Sequence, residues 1–153
     1  MGRTLVIGDI HGGLRALKQV FERAEITGAD KLIFVGDYVD GWSESAQTVD
    51  FLMELQQPCV FIKGNHDLWC EQWLERSELN EIWLRHGGAE TLESYRNYSK
   101  EQKEKHLSFF KAMCYFYIDD KNRLFVHGGF SSLRGPAGDR ETDHEPHPFA
   151  HGY

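Results

Sequence analysis

The chain has 153 residues, which suits one domain that buries most of the surface its unfolded form exposes. Its composition, 41% hydrophobic and 27% charged, is ordinary for a folded globular protein and argues against a disordered chain. Seventeen Lys and Arg against 24 Asp and Glu give a formal net charge of −7, which argues against broad binding to nucleic acid or to an anionic membrane. An anionic substrate therefore requires a local source of positive charge.

The cysteines and the N-terminus indicate the compartment. Cys59, Cys70 and Cys114 form no CxxC pair, and three cysteines suit a reducing compartment better than a disulfide framework. The first apolar run is too short for a signal peptide, and no run approaches the roughly 20 apolar residues that span a bilayer. We therefore expect a cytoplasmic protein without a membrane partner.

Three short apolar runs bounded by glycine are typical of buried strands: TLVI before Gly8, KLIFV before Gly36 and CVFI before Gly64. The segments between them repeat apolar residues with the period of a helix. We expect parallel strands joined by helices, with polar loops at the carboxyl ends of the strands, where open α/β sheets bind ligands. The expected apolar helix faces are Leu14, Leu17, Val20, Phe21 and Ala24, and then Ala46, Val49, Leu52 and Met53.

The second half of the chain has a different pattern. Residues 68–113 are mostly helical by pattern, with a helix stop at Gly87 and Gly88 and a solvent-facing helix surface at KEQKEKH, residues 100–106. The strands CYFYI and RLFV follow, joined by the turn residues DDKN. We assign residues 1–130 to one core and residues 131–153 to an irregular C-terminal tail of the same domain.

Residue types that bind metals follow each predicted strand at once. They are Asp9 and His11 after TLVI, Asp37 after KLIFV, Asn65 and His66 after CVFI, and His127 after RLFV. Carboxylate, imidazole and amide oxygen donors suit Mn, Fe or Zn. One Gly-Asp after a strand is most often only a turn, and a lone His is more often packed or on the surface. That explanation would have to hold independently at four strand ends, so a metal site is the better hypothesis.

Four motifs occur in order: GDIHG at residues 8–12, GDYVDG at 36–41, GNHD at 64–67 and HGG at 127–129. With these motifs the chain resembles the calcineurin-like metallophosphoesterases, in particular their phosphoprotein phosphatase branch. The resemblance covers about residues 3–130. It implies an α/β fold, the αββα sandwich of that family, of which we expect this chain to lack the C-terminal part.

The resemblance implies a centre that holds two divalent metal ions, with Mn, Fe or Zn as candidates. Asp9 and His11 would bind the first ion, and Asp37 would bridge both. Asn65 and His127 would bind the second ion. Such a pair clamps phosphoryl oxygens and lowers the pKa of bound water, so it would supply the positive field that the acidic chain lacks.

The resemblance also implies a catalytic acid. His66 matches the family residue that protonates the leaving alkoxide, and Asp40 matches the carboxylate that orients its imidazole and favours its charged form. From the sequence pattern by itself, Asp40 could instead cap a helix that starts near Ser43.

One departure concerns phosphate binding. The phosphatase branch usually has Arg after GDxVD, but this chain has Gly41 followed by Trp42, so a bidentate phosphate contact is missing. Arg15, Arg134 and Arg140 are candidates to replace it. The substrate-binding residues therefore stay undefined.

A second departure concerns the metal ligands. The family supplies a later His to the second ion, and the candidates here are His144, His147 and His151, of which His151 fits best. None of them follows a strand-like run. We therefore expect the second metal site to be weak.

The remaining His-Gly-Gly sequence begins at His86 and follows a helical segment instead of a strand. We interpret His86 as a helix-end histidine beside a glycine stop, favoured there by the helix dipole. We interpret Trp69, Trp73 and Trp83 as the packed faces of helices.

The leading hypothesis is a metal-dependent phosphoesterase that hydrolyses phosphomonoesters by direct attack of a metal-bound hydroxide. By the branch resemblance, the substrate would be phosphoserine or phosphothreonine in protein, with small phosphate esters also open. One alternative is a dinucleoside polyphosphate hydrolase of the diadenosine tetraphosphate type, because GNHD fits such enzymes at least as well. The other is a catalytically weak metal-binding remnant that acts by interaction, which Gly41 and the short C-terminus favour.

Overall fold

The computed structural model of the protein describes residues 2–132 and 134–138. A three-stranded parallel sheet organises the first half of the chain. The strand order is β1-β2-β3, and within it Val6 lies opposite Ile33, which lies opposite Val60. Because neighbouring strands are parallel, a helix carries the chain back between them, as the sequence pattern predicts. The strands are β1 (Thr4–Ile7), β2 (Lys31–Phe34) and β3 (Cys59–Phe61).

Helices pack against this sheet and enclose the core. Leu32, Phe34 and Val49 are fully buried there. Val20 and Met53, expected on the apolar helix faces, are 48% and 40% exposed, and Met53 is the last residue of its helix. The helices of the described chain are α1 (Leu14–Arg23), α2 (Ser45–Met53), α3 (Asn65–Arg76), α4 (Glu81–Trp83), α5 (Ala89–Ser94) and α6 (Lys100–Lys111), and a π-helical turn at Leu84–Gly88 joins α4 to α5.

The helical segment after β3 is interrupted well before the predicted glycine stop. α3 ends at Ser77, whose backbone is left-handed with φ of 57°. Asn80 then starts α4, because its side chain accepts hydrogen bonds from the backbone N–H groups of Ile82 and Trp83. At the predicted glycine stop, His86 and Gly87 leave helical geometry with φ of −107° and 98°, so the chain kinks there. The pattern predicted helix but missed the break between Ser77 and Asn80, after which Trp83 is buried in the core.

A hairpin of β4 (Phe116–Ile118) and β5 (Leu124–Val126) follows α6, as predicted. Asn122 turns the chain in a left-handed conformation with φ of 57°. The hairpin contacts the sheet through Lys31, whose Nζ lies 2.6 Å from the Tyr117 hydroxyl. β5 therefore ends beside the sheet and delivers the residue that follows it to the carboxyl ends of the strands.

His106 corrects the prediction of a wholly solvent-facing surface at residues 100–106. Most charged residues there are exposed, but His106 is 2% exposed. Its Nε2 lies 2.9 Å from Asp50 Oδ1, and its Nδ1 lies 2.7 Å from the Tyr95 hydroxyl. His106 therefore ties α6 to α2 and to the residue after α5, which a count of polar residues does not reveal.

The three cysteines are free thiols in this structure. No helix in the described part of the chain is both long and apolar enough to cross a membrane. Within the predicted tail, the described residues include a single 3-10 turn at Pro136–Gly138. The rest of the tail from residue 139 lies outside the described residues.

We expect His106 to make folding stability depend on pH. Burial lowers the pKa of His106, although the hydrogen bond and charge of Asp50 oppose the shift. The unfolded chain therefore takes up this proton first as the pH falls, and stability contributed by neutral His106 is lost below about pH 6.5. His106→Gln should flatten this part of the slope when the free energy of unfolding is measured by urea titration across that range. Lys105→Gln is the exposed control, and an unchanged slope in His106→Gln would contradict the expectation.

Candidate metal centre

The loops that follow β1 and β2 are bonded to each other through their backbones. The N–H groups of Ile10 and His11 both donate to the carbonyl oxygen of Asp37 at 2.9 Å. The N–H of Gly12 donates to the carbonyl oxygen of Tyr38 at 2.8 Å. Two motifs that are distant in sequence thus form one rigid rim at the carboxyl end of the sheet.

Predicted functional residues on this rim adopt a backbone conformation that L-residues rarely take. His11, Asp37 and Asp40 have φ values of 50°, 57° and 72°. Such conformations cost free energy and persist where the surrounding structure enforces them, commonly at functional sites. Gly36 has φ of 106°, and a Cβ there would lie 2.8 Å from His127 Nδ1. The rim therefore requires glycine where the β5 loop approaches it.

Asp67 holds the β2 and β3 loops in place. Its carboxylate accepts hydrogen bonds from the backbone N–H groups of Asp37, Tyr38 and Gly64, each at 2.8 Å. Asp67 is fully buried. The main chain of the second motif is thus tied to that of the third, and Asp37 is presented toward the centre.

The five side chains that the sequence assigns to metal binding lie together in this structure. Asp37 Oδ2 lies between two imidazoles, 3.7 Å from His11 Nε2 and 3.3 Å from His127 Nε2. Asp9 Oδ2 is 3.9 Å from His11 Nε2 on one side, and Asn65 Oδ1 is 3.1 Å from His127 Nε2 on the other. Asp37 therefore occupies the middle of the cluster, as a bridging carboxylate would.

Each imidazole of the cluster is oriented by a backbone carbonyl. His11 Nδ1 lies 3.0 Å from the carbonyl oxygen of Val39, and His127 Nδ1 lies 2.8 Å from that of Val35. An N–H at Nδ1 satisfies these carbonyls and leaves each Nε2 directed at Asp37. Fixing the tautomer through the second ring nitrogen is the usual way in which proteins prepare a metal-ligating histidine. The donor set therefore fits borderline divalent ions.

His66 and Asp40 form a buried pair at the edge of the cluster. His66 Nδ1 lies 2.7 Å from Asp40 Oδ2. The His66 ring meets the His11 ring edge to face at a centroid distance of 4.9 Å. Ring nitrogens of His11 and His66 and a carboxylate oxygen of Asp37 all lie within 4.8 Å of one another. With Nδ1 engaged by Asp40, Nε2 is the His66 nitrogen available to a ligand of the centre.

Asp40 is held by the helical segment that the sequence left without a role. Trp83 Nε1 donates to Asp40 Oδ2 at 2.8 Å, and Thr91 Oγ1 lies 2.6 Å from Asp40 Oδ1. The Asp40 N–H lies 3.0 Å from both Thr91 Oγ1 and Ser45 Oγ. The N-cap residue of α2, the next helix in the chain, is Glu44, and no side chain forms a capping hydrogen bond there. The carboxylate of Asp40 thus faces His66 and does not cap a helix.

Sequence reasoning missed Trp83 and Thr91 as supports of the site and assigned no role to Asp67. Asp67 stands inside the GNHD motif, so its position was visible although its role was not. Trp83 and Thr91 lie in a stretch without a motif, and their contacts depend on how α4 and α5 fold back. No local sequence signal identifies them.

The charges of the centre act on one another strongly. Burial raises the pKa of Asp67 to about 7, and the negative charge of Asp37 adds to this, although three backbone N–H groups oppose it. Burial opposes protonation of His127 and of His66. The hydrogen bond to Asp37 nevertheless raises the pKa of His127 to about 9, and the hydrogen bond to Asp40 raises that of His66. The negative charges of Asp37 and Asp40 thus outweigh the effect of burial on both histidines, so the electrostatic potential in the centre favours cations.

The other sequence candidates lie around the rim or outside the described residues. Arg15 is exposed, with its Nε 3.8 Å from Glu44 Oε1. His86 Nδ1 lies 2.7 Å from the carbonyl oxygen of Ile82, and Gly87 O accepts a hydrogen bond from Gly41 N at 3.3 Å. The third His-Gly-Gly sequence thus packs against the β2 loop. Arg140, His144, His147 and His151 lie outside the described residues.

Comparison with known proteins relates this centre to a family. A sequence profile of the calcineurin-like phosphoesterases matches residues 2–149. The symmetrical bis(5'-nucleosyl)-tetraphosphatase of Pseudomonas fluorescens strain SBW25 is 31% identical over 134 residues, which are 82% of this chain and 42% of that protein. The enzyme of the same name from Pseudomonas putida strain GB-1 is 42% identical over 66 residues, 42% of this chain and 23% of that one. The chain thus spans less than half the length of these curated relatives.

Solved structures show the same fold at low sequence identity. A putative diadenosine tetraphosphatase aligns with a TM-score of 0.67 and 19% identity, covering 91% of this chain and 55% of that one. A protein serine/threonine phosphatase from Saccharomyces cerevisiae aligns with a TM-score of 0.61 and 19% identity, covering 97% of this chain and 47% of that one. At this identity the likeness extends to the fold only.

We expect Thr91 to contribute to stability through Asp40. Thr91→Val keeps the shape of the side chain but leaves the buried carboxylate short of a hydrogen-bonding partner, which costs about 1–3 kcal/mol. Urea unfolding of metal-free protein measures the loss. Thr91→Ser, which keeps the hydroxyl, should retain most of the stability. Equal losses in both variants would show that the packing of the side chain, and not its hydroxyl, causes the loss.

Proposed function

Because the chain belongs to the calcineurin-like phosphoesterase family, we propose that it hydrolyses phosphate esters or anhydrides at a centre of two divalent metal ions. The position of Asp37 carries this proposal. Its Oδ2 lies within 3.7 Å of the Nε2 atoms of both His11 and His127. One carboxylate oxygen thus faces two imidazoles that are already oriented, which suits a bridging ligand.

The ligand roles follow from this position. Asp9 and His11 would hold one ion, Asn65 and His127 the other, and Asp37 both. When bound, such a pair supplies positive charge for the phosphoryl oxygens and lowers the pKa of water. The residues themselves contribute a fixed geometry, because the tautomers of His11 and His127 are set by backbone carbonyls. The identity of the ions is left to measurement, with Mn, Fe and Zn as the candidates.

His66 is the proposed general acid. Asp40 accepts a hydrogen bond from Nδ1–H, so the second proton of the imidazolium resides at Nε2, where it can be passed to a leaving oxygen. Burial disfavours the charged ring, but Asp40 raises the pKa of His66 enough to outweigh it. Trp83 and Thr91 hold Asp40 in the orientation that this transfer needs.

A dinucleoside polyphosphate is the substrate class that we favour over a phosphoprotein. Curated relatives that align with this chain include bis(5'-nucleosyl)-tetraphosphatases, at 31% identity over 134 residues in one case. A serine/threonine phosphatase shares the fold, but at 19% identity this does not extend to a substrate. Gly41, where that branch usually has Arg, also weakens the phosphoprotein hypothesis. A dinucleoside polyphosphate is thus the proposed substrate of the site.

The first experiment tests for hydrolysis. Purified protein loaded with manganese should hydrolyse 4-nitrophenyl phosphate, and a chelator should abolish the activity. Metal counting on the same sample should find two ions per chain, of which the second is held more weakly. No turnover with both ions bound would instead support the metal-binding remnant, and one ion per chain would show that the second site is incomplete.

We expect His66→Asn to lower kcat by about 100-fold or more, because general acid catalysis typically contributes that factor. Metal content should be retained, since His66 is proposed to donate a proton and not to bind an ion. Loss of metal in this variant would make His66 a ligand and overturn its assignment. His86→Asn is the matched control, because His86 lies in the segment that packs against the β2 loop and has no proposed role, and its kcat should stay near that of the wild type.

The substrate hypotheses are separated by parallel assays with added manganese. We expect kcat/KM for diadenosine tetraphosphate to exceed that for a phosphoserine peptide by at least about tenfold, a difference of about 1.4 kcal/mol in transition-state binding. Product analysis by chromatography identifies which bond is cleaved. The reverse preference would restore the phosphoprotein hypothesis.

A further inference from the structure

The centre has no assigned element that recognises the organic part of a substrate, but an aromatic residue is bonded to the loop that carries His11. Trp42 follows Gly41 at the end of the second motif and is 70% exposed, more than any other large apolar side chain among the described residues. Exposing an indole costs hydrophobic free energy. A single exposed apolar residue is common on protein surfaces, so the position of Trp42 matters more than its exposure.

The backbone fixes Trp42 against the loop of the first motif. Its N–H donates to the carbonyl oxygen of His11 at 2.9 Å. A Cβ on Gly12 would lie 2.7 Å from the Trp42 carbonyl oxygen, and a Cβ on Gly13 would lie 3.8 Å from the indole Cδ1. Trp42 thus lies across the loop that carries His11, and Gly12 leaves room for its carbonyl group. An anchored ring loses little further freedom on binding a ligand.

Gly41 permits this placement. Its φ is 88°, a conformation that residues with a Cβ rarely adopt. The reversal at Gly41 turns the chain so that Trp42 returns to His11. The position where an Arg would contact phosphate is therefore occupied by a turn that presents an aromatic ring.

Combining these observations, we propose that Trp42 is a stacking platform that binds the nucleobase of a nucleotide substrate whose phosphate lies at the adjacent centre. This proposal deepens the proposed function and rests on it for the position of the phosphate. Base stacking on an aromatic side chain is tolerant of sequence and needs one open ring face, which a side chain that is 70% exposed provides. Trp69, by contrast, packs its ring against His66 at 5.1 Å between centroids.

The test compares two ligands that share a phosphate and differ in the base. AMP and ribose 5-phosphate are titrated into manganese-loaded protein by calorimetry, so no turnover is required. Wild-type protein should bind AMP more tightly than ribose 5-phosphate. Trp42→Ala should weaken AMP binding by about 5-fold to 150-fold, the loss of one base stack, and leave ribose 5-phosphate unchanged. Trp42→Phe should keep most of the AMP affinity, because it keeps a ring.

The controls separate this inference from the proposed function. Val20→Ala, which also removes an exposed apolar side chain, should leave both affinities unchanged. Hydrolysis of glycerol 2-phosphate, which has no ring, should have the same kcat/KM in Trp42→Ala and wild type, whereas KM for diadenosine tetraphosphate should rise in the variant. Equal binding of AMP and ribose 5-phosphate by the wild type, or equal loss of both in Trp42→Ala, would overturn the stacking proposal. Absence of any hydrolysis with intact discrimination between the two ligands would overturn the proposed function alone.

Discussion

The centre depends on the buried carboxylate of Asp67, which accepts hydrogen bonds from three backbone N–H groups. Two of these groups follow β2 and one follows β3, so a single side chain fixes the relative position of two strand-end loops. Asp37 adopts a left-handed backbone conformation between them. The clamp holds Asp37 between these loops, where its Oδ2 lies 3.3 Å from Nε2 of His127, which arrives from β5. The costs of burying Asp67 and of straining Asp37 are therefore part of what positions the proposed bridging ligand.

The helical segment between the third and fourth motifs also serves the site. It carries no motif, yet Trp83 and Thr91 complete the surroundings of Asp40. Asp40 in turn holds His66, so the proposed proton donor is supported from a part of the chain that is distant in sequence. A buried carboxylate is stable only when its lone pairs are satisfied, which explains why α4 and α5 return to the rim. A net charge of −7 is compatible with an anionic substrate, because the carboxylates of Asp9 and Asp37 lie in the proposed site for cations.

The sequence predicted the features that depend on local order. The apolar runs identified β1, β2 and β3, and the types of residue that follow them identified the cluster around Asp37. It did not predict the break at Ser77, because a polar residue within a helical pattern gives no sign that the chain adopts a left-handed conformation there. It assigned His106 to solvent, because burial of that side chain requires partners on two other elements.

The sequence by itself determined the α/β class, the order of the four motifs and the five side chains that cluster at the strand ends, since strand spacing and ligand chemistry are properties of short segments. Only the tertiary structure decided which atoms face one another. That Asp37 Oδ2 lies between two Nε2 atoms, that Asp40 faces His66 and that Trp42 lies across the His11 loop all follow from contacts between distant segments. The physical reason is that hydrogen bonds and packing act over a few ångströms in space, whatever the separation along the chain.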